Sequence, residues 1–386
     1  MADKTVVVTG ANGFIASWIV KHLLERGYKV RGTVRNPNDV MKVGHLFHLP
    51  GAKERLTLFR AELLEQGVFD EVVLGADYVV HTATPFALGK LDDAYKELID
   101  PSVEGTLNLL RSAAKAKTVK RFVYTSSVAA VYYSPRFLDR KEGDIVDESW
   151  WSDSDFCLKE SLYYHAGKTL AERAAFEFAR NANFDVVSIL PSNTVGTMLQ
   201  KAANGSCNEI ARILKGMDRP QDRLARIRHA LSLVDVEDVA MAHILALENP
   251  DAEGRYLTIG FSMSNDQLAL VLAKQYPEYS SVIKPPMEGK DEETFMEPIF
   301  KFSTEKLRNL GLSFTPLPDT LQKAVKSLKQ LDYGVTCWWA KRVRYYHVNS
   351  QGKLQLFLYS TPCLTILSST ETAFKSTGRK TPRNVL

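Results

Sequence analysis

From Lys4 onward the chain alternates short apolar runs with amphipathic stretches. Runs at Thr5–Val8, Lys29–Val34, Leu56–Phe59, Tyr78–His81, Phe122–Thr125 and Val186–Leu190 predict strands. Between them, helical spacing of apolar residues marks Phe14–Arg26, roughly Asp92–Ala116 and Leu162–Asn181. Ile15, Trp18, Ile19 and Leu23 share one face of the first helix, and Gly27 follows as its C′ residue. Strands separated by helices require right-handed crossovers and a parallel sheet covered on both faces. The fold class predicted for residues 1–190 is therefore α/β, a doubly wound parallel sheet.

After about Ser192 this rhythm breaks into loops and separate helices. Ser264-x-x-Gln267 has the form of a capping box opening a helix that runs to about Tyr276. Leu321, Ala324, Val325, Leu328 and Leu331 fall on one face of another helix, ending near Gly334. Residues 191–334 thus read as a smaller, mostly helical substrate region, with some return to the first domain. Its expected place is over the C-terminal edge of the sheet, where open α/β folds bind ligands. The tail, 335–386, opens on Cys337-Trp338-Trp339 and shows no sustained period. Its basic and aromatic residues suit an RNA or membrane-surface patch, or a segment packed loosely or not at all; the second reading is preferred.

Charge sharpens this division. The 386-residue chain carries a net +4, but the tail holds eight Lys/Arg and one acid, Glu371. The first 334 residues therefore carry −3, which argues against nucleic acid as their partner. At 45% hydrophobic and 24% charged, the composition is that of an ordinary globular protein. No apolar run approaches the roughly 18 residues of a membrane helix, and no signal-peptide core follows Met1. A cytoplasmic protein is expected, as monomer or homodimer. Its four scattered cysteines form no Cys-x-x-Cys pair, so neither a disulfide framework nor a metal is expected.

Thr9-Gly10-Ala11-Asn12-Gly13-Phe14-Ile15-Ala16 lies between the first predicted strand and helix. Gly10 suits a tight turn, Gly13 a close backbone approach, and the helix amides a pyrophosphate. A merely tight strand-to-helix turn is the alternative, and the strand before and helix after favour the dinucleotide site of a Rossmann-type domain. An NAD site carries an acid about 20 residues on. Here the second strand ends Thr33-Val34-Arg35 without one. Arg35, with Lys42 as a second candidate, suits the 2′-phosphate of NADP(H), although either is also an ordinary surface charge.

Tyr164-His165-Ala166-Gly167-Lys168 has Tyr-x-x-x-Lys spacing in a predicted helix, where i and i+4 share a face. Of 15 tyrosines only Tyr164 has Lys at i+4. A neighbouring ammonium and an oxidised nicotinamide both favour the phenolate, so proton exchange near neutral pH is expected of Tyr164. Ser127 ends the predicted strand at the mouth of the sheet, placed either to hold a substrate carbonyl or simply to cap a turn.

The ordered set TGANGFIA, VVHTATP (79–85), RFVYTSS (121–127), YYHAGK (163–168) and VDVEDVAMAH (234–243) resembles the extended short-chain dehydrogenase/reductases. Within them it is similar to the plant branch of dihydroflavonol 4-reductases and cinnamoyl-CoA reductases, over residues 4–334. The resemblance implies catalysis by Ser127, Tyr164 and Lys168, with Lys168 also on the nicotinamide ribose. It implies NADPH contacts from Gly10, Ala11, Asn12, Gly13, Phe14, Ile15, Arg35 and Lys42. Thr82, Ala83, Thr84, Pro191, Ser192, Asn193 and Thr194 complete that set. Ala61-Glu62-Leu63 stands where relatives have Ala-Asp-Leu near the adenine, which implies contacts from Glu62 and Leu63.

Departures limit the substrate. Tyr132 replaces the Asn or Asp of dihydroflavonol reductases, while Leu162–Lys168 keeps only Tyr164, Gly167 and Lys168 of the cinnamoyl-CoA signature. The expected activity is NADPH-dependent reduction of an aromatic (phenylpropanoid- or flavonoid-like) aldehyde, ketone or CoA thioester. A nucleotide-sugar epimerase or dehydratase is the alternative, but Val128-Ala129 follow Ser127 where a dehydratase needs an acidic pair. A redox-sensing binding protein with a dead site is disfavoured by the intact Tyr and Lys.

Overall fold

The computed structural model describes residues 4–85, 92–141, 143–216, 231–283, 296–298 and 300–333, with three further strands near the C-terminus. The chain lays down β1 (Thr5–Thr9), β2 (Lys29–Val34), β3 (Leu56–Arg60), β4 (Tyr78–His81), β5 (Arg121–Thr125), β6 (Ile145–Val146) and β7 (Asp185–Pro191). β8 (Asn193–Val195), β9 (Leu231–Asp235), β10 (Gly254–Thr258), β11 (Phe261–Met263) and β12 (Lys301–Phe302) follow.

Seven strands form the central sheet in the order β10-β7-β5-β4-β1-β2-β3, every neighbouring pair parallel. Alternation along β1 separates the two faces. Val6 and Val8 join Ile19, Leu23 and Ala240 in one core, while Val7 joins Leu109, Phe122 and Ala171 in the other. Helices Phe14–Glu25 and Val236–Glu248 lie side by side, as do Asp100–Ala116 and Tyr163–Ala179. Gly167 lets the last two approach closely, since an added Cβ there would lie 3.3 Å from Ser102 Oγ. The strand order reverses between β1 and β4, which opens a crevice at their C-terminal ends.

Several local expectations take concrete form. Gly27 adopts a left-handed φ of 85°, with Tyr28 N–H donating to Leu23 O. Ser264 and Gln267 make a reciprocal capping box on helix Asn265–Gln275. The helix expected from about Asp92 begins instead with a π-helical turn, Tyr95–Ile99, leading into Asp100–Ala116. Pro101, at the start of that helix, has no N–H to donate.

The segment beyond residue 190 returns to the first layer: β10 joins the central sheet, and residues 1–335 form one compact unit. It also carries a small sheet, β11-β9-β8, beside its helices. These short strands bury too few residues to stand out from loops by pattern alone. The helix carrying Leu321 and Leu328 ends at Gln330, and Gly334 lies outside the described residues. Thr336–Leu386 forms a second unit. In it β13 (Arg344–Val348), β14 (Leu354–Ser360) and β15 (Cys363–Thr365) pair antiparallel, which no period in the sequence announces. Cys337-Trp338-Trp339 lie outside the described residues. Among the described residues no helix is long and apolar enough to cross a membrane.

Candidate active site

A cleft of about 1200 Å³ runs over the C-terminal ends of β1, β2, β4, β5 and β7. At its β1 end Gly10 has φ +63°, and an added Cβ would sit 3.2 Å from Ala83 Cα across the crevice. Gly13 caps helix Phe14–Glu25 with no side-chain hydrogen bond. The first helical amides, Phe14, Ile15 and Ala16, therefore have no intrahelical acceptor and attract an anion. Asn12, Gly13, Phe14 and Ile15 line the cleft. Ala11 does not: it is wholly buried, and its N–H donates to Thr33 O at 3.0 Å.

Thr82, Ala83 and Thr84 form the opposite wall. The N–H groups of Thr82 and Ala83 both donate to Thr9 Oγ1, at 3.2 and 3.1 Å, which ties this wall to β1. Arg35 and Lys42 line the tip of β2, with Glu62 and Leu63 beyond β3. The two cations differ. Lys42 Nζ lies 3.4 Å from Asp39, whose carboxylate also caps the following helix, whereas Arg35 is exposed and opens onto the cleft. Pro191, Ser192, Asn193 and Thr194 line the far side. The Ser192 hydroxyl is buried there without a hydrogen-bond partner among the described residues. A tight glycine turn, uncapped helix amides, an orphaned buried hydroxyl and a cation at β2 together fit a phosphorylated dinucleotide.

Tyr164 and Lys168 stand one turn apart on helix Tyr163–Ala179 and both line the cleft. Ser127 does two things at once. Its oxygen accepts from Ala129 N–H at 3.1 Å, capping the turn Val128–Ala130, and its hydroxyl lies beside the Tyr164 phenol, near enough to pull its pKa down. Cap and site residue are one role here. Burial pushes the Tyr164 phenol up to about 12, outweighing the Ser127 hydroxyl that pulls it down. Lys168 adds no depression: its Nζ donates to Thr84 Oγ1 and Thr125 O, both at 2.8 Å, and the amine loses its charge well before the phenol titrates. Burial lowers Lys168 to about 7, with the Glu172 carboxylate opposing that shift. A phenol of this kind stays protonated at neutral pH, as a proton donor must.

Beyond this group the wall is aromatic. Tyr132, Tyr133 and His165 line it, the rings of Tyr133 and His165 being 4.0 Å apart. Tyr132 is held by a 2.8 Å hydrogen bond to Ser232. Asn204, Gly205, Ser206 and Glu209, from the second region, close the end.

The model of the NAD dependent epimerase/dehydratase family matches residues 6–260. The chain belongs to this family. Within it, the cinnamoyl-CoA reductase CAD2 of Medicago truncatula is 44% identical over 327 residues, covering 85% of this chain and 96% of that protein. The dihydroflavonol 4-reductase of Callistephus chinensis is 40% identical over 333 residues, 85% of this chain and 87% of that one. Among solved structures, yeast methylglyoxal/isovaleraldehyde reductase Gre2, complexed with NADPH, superimposes with a TM-score of 0.73. It is 26% identical and spans 84% of this chain and 98% of that one.

Ser127, Tyr164 and Lys168 line the cleft together, as does every other predicted site residue except Ala11. Pattern reading passed over Glu172 and Arg255, a buried ion pair that contacts Ser126 and Ala130 behind the cleft. An acid at i+4 from Lys168 on the same face was a usable signal for Glu172. Arg255 had none, since it arrives from a strand 83 residues further on.

Proposed function

We propose that the protein is an NADPH-dependent reductase of aromatic carbonyl compounds. The observation that carries this is the meeting of Ser127, Tyr164 and Lys168 in one cleft, at the point where the dinucleotide end meets an aromatic wall. NADPH, when bound, supplies the hydride that reduces the carbonyl carbon. Gly10, Gly13 and the amides of Phe14 and Ile15 would hold its pyrophosphate, Arg35 its 2′-phosphate, and Lys168 its nicotinamide ribose. Ser127 and Tyr164 both offer hydrogen bonds to the carbonyl oxygen, and Tyr164 passes its proton to that oxygen as charge develops. The Ser127 hydroxyl then steadies the phenolate left behind, the direction in which it already shifts Tyr164.

Tyr132, Tyr133 and His165 favour a flat aromatic substrate at the reacting end. Epimerase or dehydratase chemistry is disfavoured, because Val128 and Ala129, which line the cleft after Ser127, carry no acid or base. The deciding experiment follows NADPH consumption with cinnamaldehydes, phenylacetaldehyde, hydroxycinnamoyl thioesters and dihydroflavonols. Turnover of at least one class supports the reading. No turnover of any, with nucleotide-sugar conversion instead, overturns it.

A further inference from the structure

Two charged side chains that take no part in the chemistry above lie inside the protein behind Ser127. Glu172 is 0% exposed and Arg255 6%. One comes from helix Tyr163–Ala179 and the other from β10 at the sheet edge. They meet in a two-pronged pair, Arg255 Nε to Oε1 at 3.0 Å and Nη2 to Oε2 at 3.2 Å. A buried ion pair stabilises little, since apolar residues of like volume often hold a core as well or better. Its presence calls for a different account.

That account lies in what the pair grips. Glu172 Oε2 accepts from Ser126 Oγ at 2.9 Å, on the residue just before Ser127. Arg255 Nη2 donates to Ala130 O at 3.1 Å, at the end of the turn that Ser127 caps. The guanidinium is itself immobilised by the carbonyl of Glu148 at 2.9 Å and by the Trp151 ring 3.6 Å away. One turn along the same helix, Lys168 holds Thr125 O. Residues 125, 126 and 130 are thus all fastened by side chains from outside their loop. Ser127 stands between them, facing Tyr164.

We propose that the Glu172–Arg255 pair is a positioning unit for the reduction, holding Ser126 and Ala130 so that the Ser127 hydroxyl keeps its place against Tyr164 and the substrate carbonyl. The proposal deepens the reductase reading and rests on it for the role of Ser127. It predicts that contacts of Glu172 toward Ser127 matter to catalysis, while contacts elsewhere matter to stability alone.

Two mild variants separate these. Ser126→Ala and Ser188→Ala each delete one hydroxyl donated to Glu172, at 2.9 and 2.6 Å, and leave the ion pair in place. Ser188 lies on β7, paired with Tyr124 of β5, and its hydroxyl donates to Glu172 and not to the Ser127 loop. A merely structural carboxylate loses stability alike in both and treats kcat alike. The expected result is similar melting temperatures and NADPH affinity for the two. On a carbonyl compound that the wild type reduces, kcat should fall about tenfold in Ser126→Ala and stay near wild type in Ser188→Ala. In a Ser127→Ala background that difference should vanish. Equal kcat for the two variants, or a difference that survives without Ser127, overturns the proposal. Crystal structures of both variants give a readout independent of turnover: the Ser127 hydroxyl should withdraw from Tyr164 only in Ser126→Ala, and an unmoved Ser127 there also overturns it. A wild type that reduces no carbonyl compound would sink the reductase reading instead, and the structures would still decide the positioning.

Discussion

The Ser127 hydroxyl lies beside the Tyr164 phenol in the cleft while its oxygen accepts from Ala129 N–H, so the cap that orders the loop also aims the serine. Donor and partner are arranged before a substrate enters, which is the kind of preorganisation that lowers a barrier without rearrangement at the moment of reaction.

Removal of the Tyr164 hydroxyl tests this directly. Tyr164→Phe keeps the ring and should cut kcat by roughly 10²–10⁴-fold, with NADPH affinity little changed. Tyr163 points about 100° away around the helix. It packs against the Tyr132 and Phe137 cluster rather than lining the cleft. Tyr163→Phe should therefore turn over near the wild-type rate, and a dead Tyr163→Phe beside an active Tyr164→Phe would refute the assignment.

Cofactor choice should rest on Arg35 more than on Lys42, which already has Asp39 as a partner. Steady-state kcat/KM with NADPH should fall about ten- to a hundredfold in Arg35→Ala while NADH use holds. Lys42→Ala should do less. A wild type that uses both cofactors equally would contradict this.

The buried Lys168 makes stability depend on pH in a definite direction. Its folded pKa of about 7 lies below the ordinary 10.5, so the unfolded chain binds more protons between these values. Stability should therefore rise with pH through that window, the penalty for the buried ammonium being complete below about 7. Melting temperatures of Lys168→Met should lack this rise. NADPH affinity should run the other way and weaken above about pH 7, as the cation is lost; an affinity flat with pH would remove the ammonium from the cofactor site.

Acid should unfold the protein through two histidines behind the site. His81, between Thr9 and Thr106, and His243, between Thr125 and Val239 O, are wholly buried and held at about 3 and about 4. Both values lie below the ordinary 6.5, so the unfolded chain binds more protons and stability falls as pH drops from 6.5 toward 4. Denaturant titrations across that range should show the loss, reduced in His243→Gln.

Residues 336–386 form a unit of their own, and none of the described residues lining the cleft belongs to it. A chain ended after Val335 should fold and reduce its substrate at the full-length rate. Insoluble or inactive protein would place part of the tail in the core.

Six of the seven strands of the central sheet, the three helices between them, the glycine turn and the Tyr164–Lys168 pair could be read from the order of residues, because each depends on spacing within a few positions. β1 announces itself by five consecutive buried residues, and Tyr164 and Lys168 share a face by helical geometry alone. The direction of the Tyr164 shift could not be read that way. It depends on how deeply the helix is buried, which raises the phenol and strips the Lys168 amine of its charge before the phenol titrates. That Ala11 faces β2 rather than the cleft is likewise a matter of tertiary packing, set by Gly32 and Thr33 beside it. Least visible was Arg255, an arginine like any other until β10 joins the sheet edge and brings it against Glu172. Local spacing records which way a side chain leaves its own backbone; the charge it meets, and the water it loses, belong to segments far along the chain.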